Sequence, residues 1–130
     1  MASLSAAKPV VLVVEDEPLL AFYARDVMEG AGYEVLVTEN AGDAVILLER
    51  RLDIRVVFTD VQLPGSMDGL RLAEIVRLRW PPIALVITSG RITPAPAEMP
   101  AQSIFLSKPY AQKDLCRALQ SACDCRSAIN

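Results

Sequence analysis

The sequence predicts an α/β fold: five strand–helix units forming a doubly wound parallel sheet of strand order 2-1-3-4-5. Three observations carry this. Short runs rich in β-branched residues recur at Val10 to Val14, Tyr33 to Val37, Ile54 to Thr59, Ile83 to Thr88 and Ile104 to Ser107. Most of the gaps between them carry apolar residues at helical spacing. The first run is apolar throughout, as a strand covered on both faces should be. Strands alternating with helices bury a parallel sheet between two helical layers, and such sheets bind ligands at the carboxyl ends of their strands.

Each element follows from local chemistry. After Val14 polarity arrives abruptly as Glu15-Asp16-Glu17, and Pro18 suits a first helical turn because its missing N–H is not needed there. Leu20, Ala24, Val27 and Ala31 then fall at helical spacing, with Gly30 and Gly32 available to cap the end. Asn40, with Asp43 three residues on, reads as the N-cap of a second helix carrying Ala44, Leu47 and Leu48. After the Pro64-Gly65 turn, Gly69, Leu72, Ala73, Val76 and Trp80 line one side of a third helix, with Arg71, Glu74 and Arg77 on the other. Pro81-Pro82 stops it. Between the fourth and fifth strands Pro94, Pro96 and Pro100 stand where a fourth helix is expected. An interior proline costs a helix roughly 3 kcal/mol, so one or two turns capped by Thr93 are the most this segment should form. Leu115, Ala118, Leu119 and Ala122 give the last helix its apolar face.

The bulk properties bound the function. A chain of 130 residues is one domain, expected to span residues 1–130 with no output domain after Asn130. Hydrophobic residues make up 52%, charged residues 22%, and the net charge is -3, which disfavours both disorder and nucleic-acid binding. MASLSAAKP leads into no apolar run long enough to cross a membrane, so a soluble, cytoplasmic protein is expected. Cys116, Cys123 and Cys125 lack metal-ligand spacing and read as reduced thiols. No histidine is present, which excludes a histidine base, zinc ligand or phosphocarrier within this chain.

Chemistry concentrates just past the strands. Glu15 and Asp16 follow the first, Asp60 the third, Thr88 ends the fourth, and Lys108 follows the fifth. With strands one and three adjacent, three carboxylates converge in one crevice. Each pair about 5 Å apart repels by about 3 kcal/mol at an effective dielectric of 20. Lys108 can offset one charge, and a hard divalent cation such as Mg2+, which prefers oxygen ligands, can offset the rest. A phosphoryl group could then bridge metal, lysine and hydroxyl. Glu17 reads as a residue that favours the positive end of the first helix, and Ser89 is a rival hydroxyl to Thr88.

VVEDE, FTDVQLPGSMDG, VITSG and FLSKPY, in this order and at these separations, resemble the receiver domain of bacterial two-component response regulators from Val10 to about Ala122. The resemblance implies a flavodoxin-like fold and a phosphorylatable switch charged by a sensor histidine kinase or a histidine phosphotransfer protein, acting on a further protein. Asp60 would be the phosphoacceptor, Lys108 would pair with phosphoryl oxygens, and Thr88 would hydrogen-bond the phosphoryl group. Asp16, Asp60 and the carbonyl of Gln62 would ligate Mg2+, with Glu15 holding metal-bound water. The Lys108–Pro109 peptide would be cis, and Phe105 would occupy the aromatic switch position.

Two departures matter. DVQLPGSMDG is one residue longer than the usual loop, beside the pocket, where Gln62 and Gly90 also sit. The proline-rich 91–102 segment implies a remodelled partner surface, without the usual symmetric dimer, and a monomer or weak dimer is expected. The competing functions are less well served. An aspartyl-nucleophile phosphatase would need an acid two residues after Asp60, where Gln62 stands. A nucleotide or flavin site would need a Gly-rich turn after the first strand, where Glu15-Asp16-Glu17 would repel phosphate. A receiver that binds partners without phosphorylation would have no use for this acid, hydroxyl and lysine set.

Overall fold

The computed structural model describes residues 8–127, with side chains through residue 124. Cys125 lies outside the described side chains, as residues 1–7 and 128–130 lie outside the described residues. Five parallel strands, β1 (Val10–Val14), β2 (Glu34–Thr38), β3 (Ile54–Asp60), β4 (Ala84–Ser89) and β5 (Ile104–Ser107), form one sheet of order β2-β1-β3-β4-β5. Helices α1 (Pro18–Gly30), α2 (Ala41–Arg50), α3 (Gly69–Arg79) and α4 (Gln112–Ser127) cover it. The expected order is therefore the observed one. β2, β3 and β4 each end one residue later than their apolar runs, and β2 and β4 also begin one later. The ladder thus reaches past the β-branched residues to the polar residues that end β3 and β4.

Within β1, alternate residues serve different cores. Val10, Leu12 and Val14 pack with Ala41, Ala44 and Leu48 of α2 and Leu72, Ala73 and Val76 of α3. Val11 and Val13 pack on the other face with Ala24, Val27 and Met28 of α1 and Leu115, Leu119 and Ala122 of α4. The period of two is present, but both sets are apolar, so the sequence hides it. Each fully buried aliphatic side chain here contributes roughly 1.5–3 kcal/mol relative to exposure.

The helix ends obey their caps. Asn40 Oδ1 accepts from the Asp43 N–H at 2.8 Å, as expected, and Asp68 Oδ1 accepts from the Arg71 N–H at 2.8 Å to open α3. At the end of α1, Gly30 is still helical and Ala31 is the C-cap, while Gly32 supplies the left-handed residue at φ +100°. Trp80 caps α3 instead of extending its apolar face, and its ring lies under the Arg79 guanidinium at 4.4 Å.

Between β4 and β5 a single 3-10 turn, Pro96–Glu98, replaces a helix. Thr93 does not cap it. The Ala95 N–H instead donates to Glu98 Oε1 at 2.7 Å. Arg77 is also not a solvent-facing helix residue. Its guanidinium donates to the carbonyls of Ala101, Pro81 and Ile83, tying the end of α3 to both flanking loops. The backbone of the proline-rich stretch is thus held partly by a side chain, where a helix would have satisfied itself.

Candidate functional site

The site is assembled by ladder bonds that run past the strand ends. The Glu15 N–H donates to the Thr38 carbonyl at 3.0 Å, so Glu15 continues β1 by one residue and turns inward, only 2% exposed. Asp16 next to it faces solvent. Asp60 closes β3 in register with Thr88 on β4, and is 7% exposed. The Lys108 N–H donates to the Ser89 carbonyl at 3.0 Å, setting the lysine stem along the end of β4.

From there the Lys108 ammonium reaches both buried acids. Nζ lies 2.8 Å from Asp60 Oδ2 and 2.9 Å from Glu15 Oε1. The remaining carboxylate oxygens use backbone donors: Glu15 Oε2 accepts from Glu17 N–H at 3.1 Å, and Asp60 Oδ1 accepts a longer bond from Gln62 N–H at 3.3 Å. Glu17 thus adjoins the site through its amide and makes no side-chain cap.

Burial and pairing act against each other on Glu15 and Lys108. Burial raises the pKa of Glu15, and the nearby Asp60 charge adds to that, so its bond to Lys108 only partly offsets desolvation. Burial alone would lower the pKa of Lys108, but its bonds to Asp60 and Glu15 outweigh this and the net shift is upward. The ammonium therefore stays charged between two acids, one of which is crowded.

Among the described residues, one carboxylate oxygen each from Glu15, Asp16 and Asp60 lie within 4.8 Å of one another. This all-oxygen, partly exposed donor set fits a hard divalent cation. One lysine cannot neutralise three carboxylates, and the excess charge faces the solvent side where Asp16 stands. Gln62, also exposed, adjoins this edge through its backbone.

Of the two adjacent hydroxyls, Ser89 is engaged, its Oγ accepting from the Ile92 N–H at 3.4 Å. Thr88 Oγ1 is fully buried without a hydrogen-bond partner among the described residues, opposite Asp60 in the ladder. Phe105 pairs with Ile87 across β4 and β5 and is half-buried against the core on the α2 and α3 side. The Lys108–Pro109 peptide is cis, as the resemblance implies.

Two residues of the site were not legible as such. Gly69 reads as the start of a helical face, yet a Cβ there would stand 1.7 Å from the Asp60 carbonyl oxygen. Tyr110 reads only as the residue after a proline, yet two residues past Lys108 its ring is buried against Phe58 and Tyr23. The Asp68-Gly69 pair following a Pro-Gly loop was the available signal for the first.

A family model of the response regulator receiver domain matches residues 11–120. A putative NtrX-like response regulator of Rickettsia bellii is 29% identical over 119 residues, which are 88% of this chain and 24% of that protein. The chain thus spans about a quarter of the length of that curated relative. An uncharacterized 14.6 kDa protein of Leptolyngbya boryana is 33% identical over 118 residues, covering 87% of this chain and 88% of its own. The crystal structure of a response regulator receiver protein from Sinorhizobium medicae superposes with a TM-score of 0.83 at 24% identity, over 92% of this chain and 97% of that one. With a matching family model over most of its length, a sheet of order 2-1-3-4-5 and acids gathered at its carboxyl edge, the chain belongs to the response regulator receiver domain family.

Proposed function

We propose that the chain accepts a phosphoryl group on Asp60 from a phosphohistidine and changes partner binding as a result. The observation that carries this is the Lys108 ammonium held 2.8 Å from Asp60 Oδ2, beside a fully buried Thr88 hydroxyl with no partner of its own among the described residues. In the transfer, an Asp60 carboxylate oxygen bonds to phosphorus as the phosphorus–nitrogen bond of the donor histidine breaks, and the imidazole leaves with that electron pair. Lys108 then pairs with the phosphoryl oxygens, and the Thr88 hydroxyl donates to one of them. Glu15, Asp16 and Asp60, with the Gln62 carbonyl, would hold Mg2+, which when bound neutralises carboxylate and phosphoryl charge. Water attack on the acyl phosphate resets the domain, so no external substrate is turned over. Engagement of Thr88 would bear on Phe105, one ladder position away on β5.

The donor has to approach the mouth of the site, which the start of α1 borders. Leu19 and Phe22, one helical turn apart there, are 84% and 69% exposed. They support docking of the histidine-bearing protein on this face. Phe22→Asp is expected to slow transfer from a phosphorylated kinase by roughly tenfold or more, the scale of a buried aromatic anchor. Its labelling by acetyl phosphate should match wild type. Equal loss with both donors would refute the docking face.

Acetyl phosphate with Mg2+ should add one phosphoryl group to the intact chain, as read by mass, and a chelator should prevent it. No labelling under any donor would leave a phosphate-independent binding module as the reading. Asp16→Asn removes a formal charge from the cation-facing edge and should raise the Mg2+ concentration needed for half-maximal labelling by roughly tenfold. An unchanged Mg2+ requirement would remove Asp16 from the ligand set.

A further inference from the structure

Thr59 carries a fully buried hydroxyl that the scheme above does not use. It stands one residue before Asp60 in β3 and is 0% exposed. Val57, two residues back on the same face and equally buried, shows that packing there asks for no oxygen. A hydroxyl taken out of water is costly unless it is bonded. Thr59 Oγ1 donates to the main-chain carbonyl of Asp60 at 2.9 Å.

That carbonyl lies where the ladder runs out. β1 ends at Val14, the partner of Thr59, and the next residue, Glu15, turns its N–H to Thr38 of β2. Among the described residues no backbone N–H donates to the Asp60 carbonyl, so the hydroxyl of the preceding residue takes the place of a ladder donor. From the other side α3 closes in at Gly69, which leaves no room for a Cβ beside this oxygen.

Four bonds fix the two peptide units that follow Asp60. The Val61 N–H donates to the Thr88 carbonyl at 2.9 Å, the Val61 carbonyl accepts from the Gly69 N–H at 2.8 Å, and the Gln62 N–H donates to Asp60 Oδ1 at 3.3 Å. The fourth bond is the one from Thr59 to the Asp60 carbonyl. Only this bond comes from a side chain outside the proposed set of phosphoryl and cation partners. If the Asp60–Val61 peptide turns, the Val61–Gln62 peptide turns with it, and the Gln62 backbone changes its stance toward the Asp60 carboxylate.

We propose that Thr59 is a positioning residue of the phosphorylation site: by holding the Asp60 carbonyl, its hydroxyl fixes the peptide between Asp60 and Val61 and so keeps the Gln62 carbonyl and the Asp60 carboxylate placed to take one cation together. This rests on Asp60 being the phosphoacceptor. Without the bond the peptide samples other orientations, and the cation must select the competent one. Losing one ordinary hydrogen bond lowers that population by about fivefold, and the Mg2+ requirement rises by the same factor.

Thr59→Val and Thr59→Ser in the full chain separate this from a packing role. Valine keeps the shape and loses the hydroxyl, whereas serine keeps the hydroxyl and opens a small cavity, so packing alone makes serine the worse variant. In metal-free protein, hydrogen exchange of the Val61 amide should speed up by about fivefold relative to the other β3 amides in Thr59→Val, and not in Thr59→Ser. The Mg2+ concentration for half-maximal labelling by acetyl phosphate should rise about fivefold in Thr59→Val and stay within about twofold of wild type in Thr59→Ser. Should Thr59→Val not fold, Thr59→Ala against Thr59→Ser makes the same comparison. An equal rise in the serine variant, or exchange that quickens evenly along β3, would overturn the proposal. If wild type is not labelled at Asp60, the phosphoacceptor assignment fails and the proposal with it; if wild type is labelled and Thr59→Val keeps its Mg2+ requirement, the proposal alone fails.

Discussion

Asp60→Asn is expected to abolish labelling by acetyl phosphate and Mg2+, leaving intact mass unchanged under conditions that add one phosphoryl group to the wild type. The carboxamide has neither the charge nor the nucleophilic oxygen of the carboxylate, and deleting a nucleophile in covalent catalysis costs on the order of 10^6 in rate. That is far below detection. The substitution should spare the fold. Lys108 keeps its 2.9 Å bond to Glu15, and the lost bond to Asp60 is compensated by relief of repulsion between neighbouring acids. The melting temperature should therefore stay within about 5 °C of wild type, the equivalent of roughly 1 kcal/mol. Labelling that persists in a folded Asp60→Asn protein would move the acceptor elsewhere.

That Asp60 could be singled out at all reflects where the sequence is most explicit. A carboxylate at the end of an otherwise apolar, β-branched run has no packing use, and neither does a lysine following the last run. Strand order then brings Glu15, Asp60 and Lys108 to one edge, and the ion pairs at 2.8 and 2.9 Å are consequences of that order. The N-cap of α2 was equally legible, because Asn40 and Asp43 lie only three residues apart in sequence. What was not legible depends on contacts between segments far apart. Arg77 looks like a surface residue by periodicity, and only the fold brings the Ala101 carbonyl to it, 24 residues on. The proline count before β5 correctly limited that connection to less than a helix, but not which cap would hold its one turn. Tyr110 gives no sign in sequence that its hydroxyl is buried, since that follows from Phe58 and Tyr23 closing over its ring.

Gly69 is the sharpest such case, and two physical effects predict opposite results for Gly69→Ala. It is the first residue of α3, and alanine is favoured over glycine in a helix interior by about 1 kcal/mol. On propensity alone the variant should be no less stable. The added Cβ, however, would stand 1.7 Å from the Asp60 carbonyl oxygen, 2.7 Å from its carbon and 3.0 Å from Thr59 Oγ1. The first two are backbone atoms and cannot rotate away. The same carbonyl accepts from Thr59 Oγ1 at 2.9 Å, and the Gly69 N–H is bonded to Val61 at 2.8 Å, so both sides of the contact are pinned. Overpacking typically costs 1–3 kcal/mol where side chains can adjust, and more is expected here, where the backbone must move. Sterics should win, with a loss of about 3 kcal/mol and a melting temperature lower by on the order of 10 °C. Any relief displaces the peptide that carries Asp60, so acetyl phosphate labelling of the folded fraction should slow as well. Gly30→Ala is the control, because a Cβ there meets nothing within 4 Å and the residue is still helical. It should be neutral or slightly stabilising, and a Gly69→Ala protein as stable as Gly30→Ala would mean that α3 does not approach the end of β3 this closely.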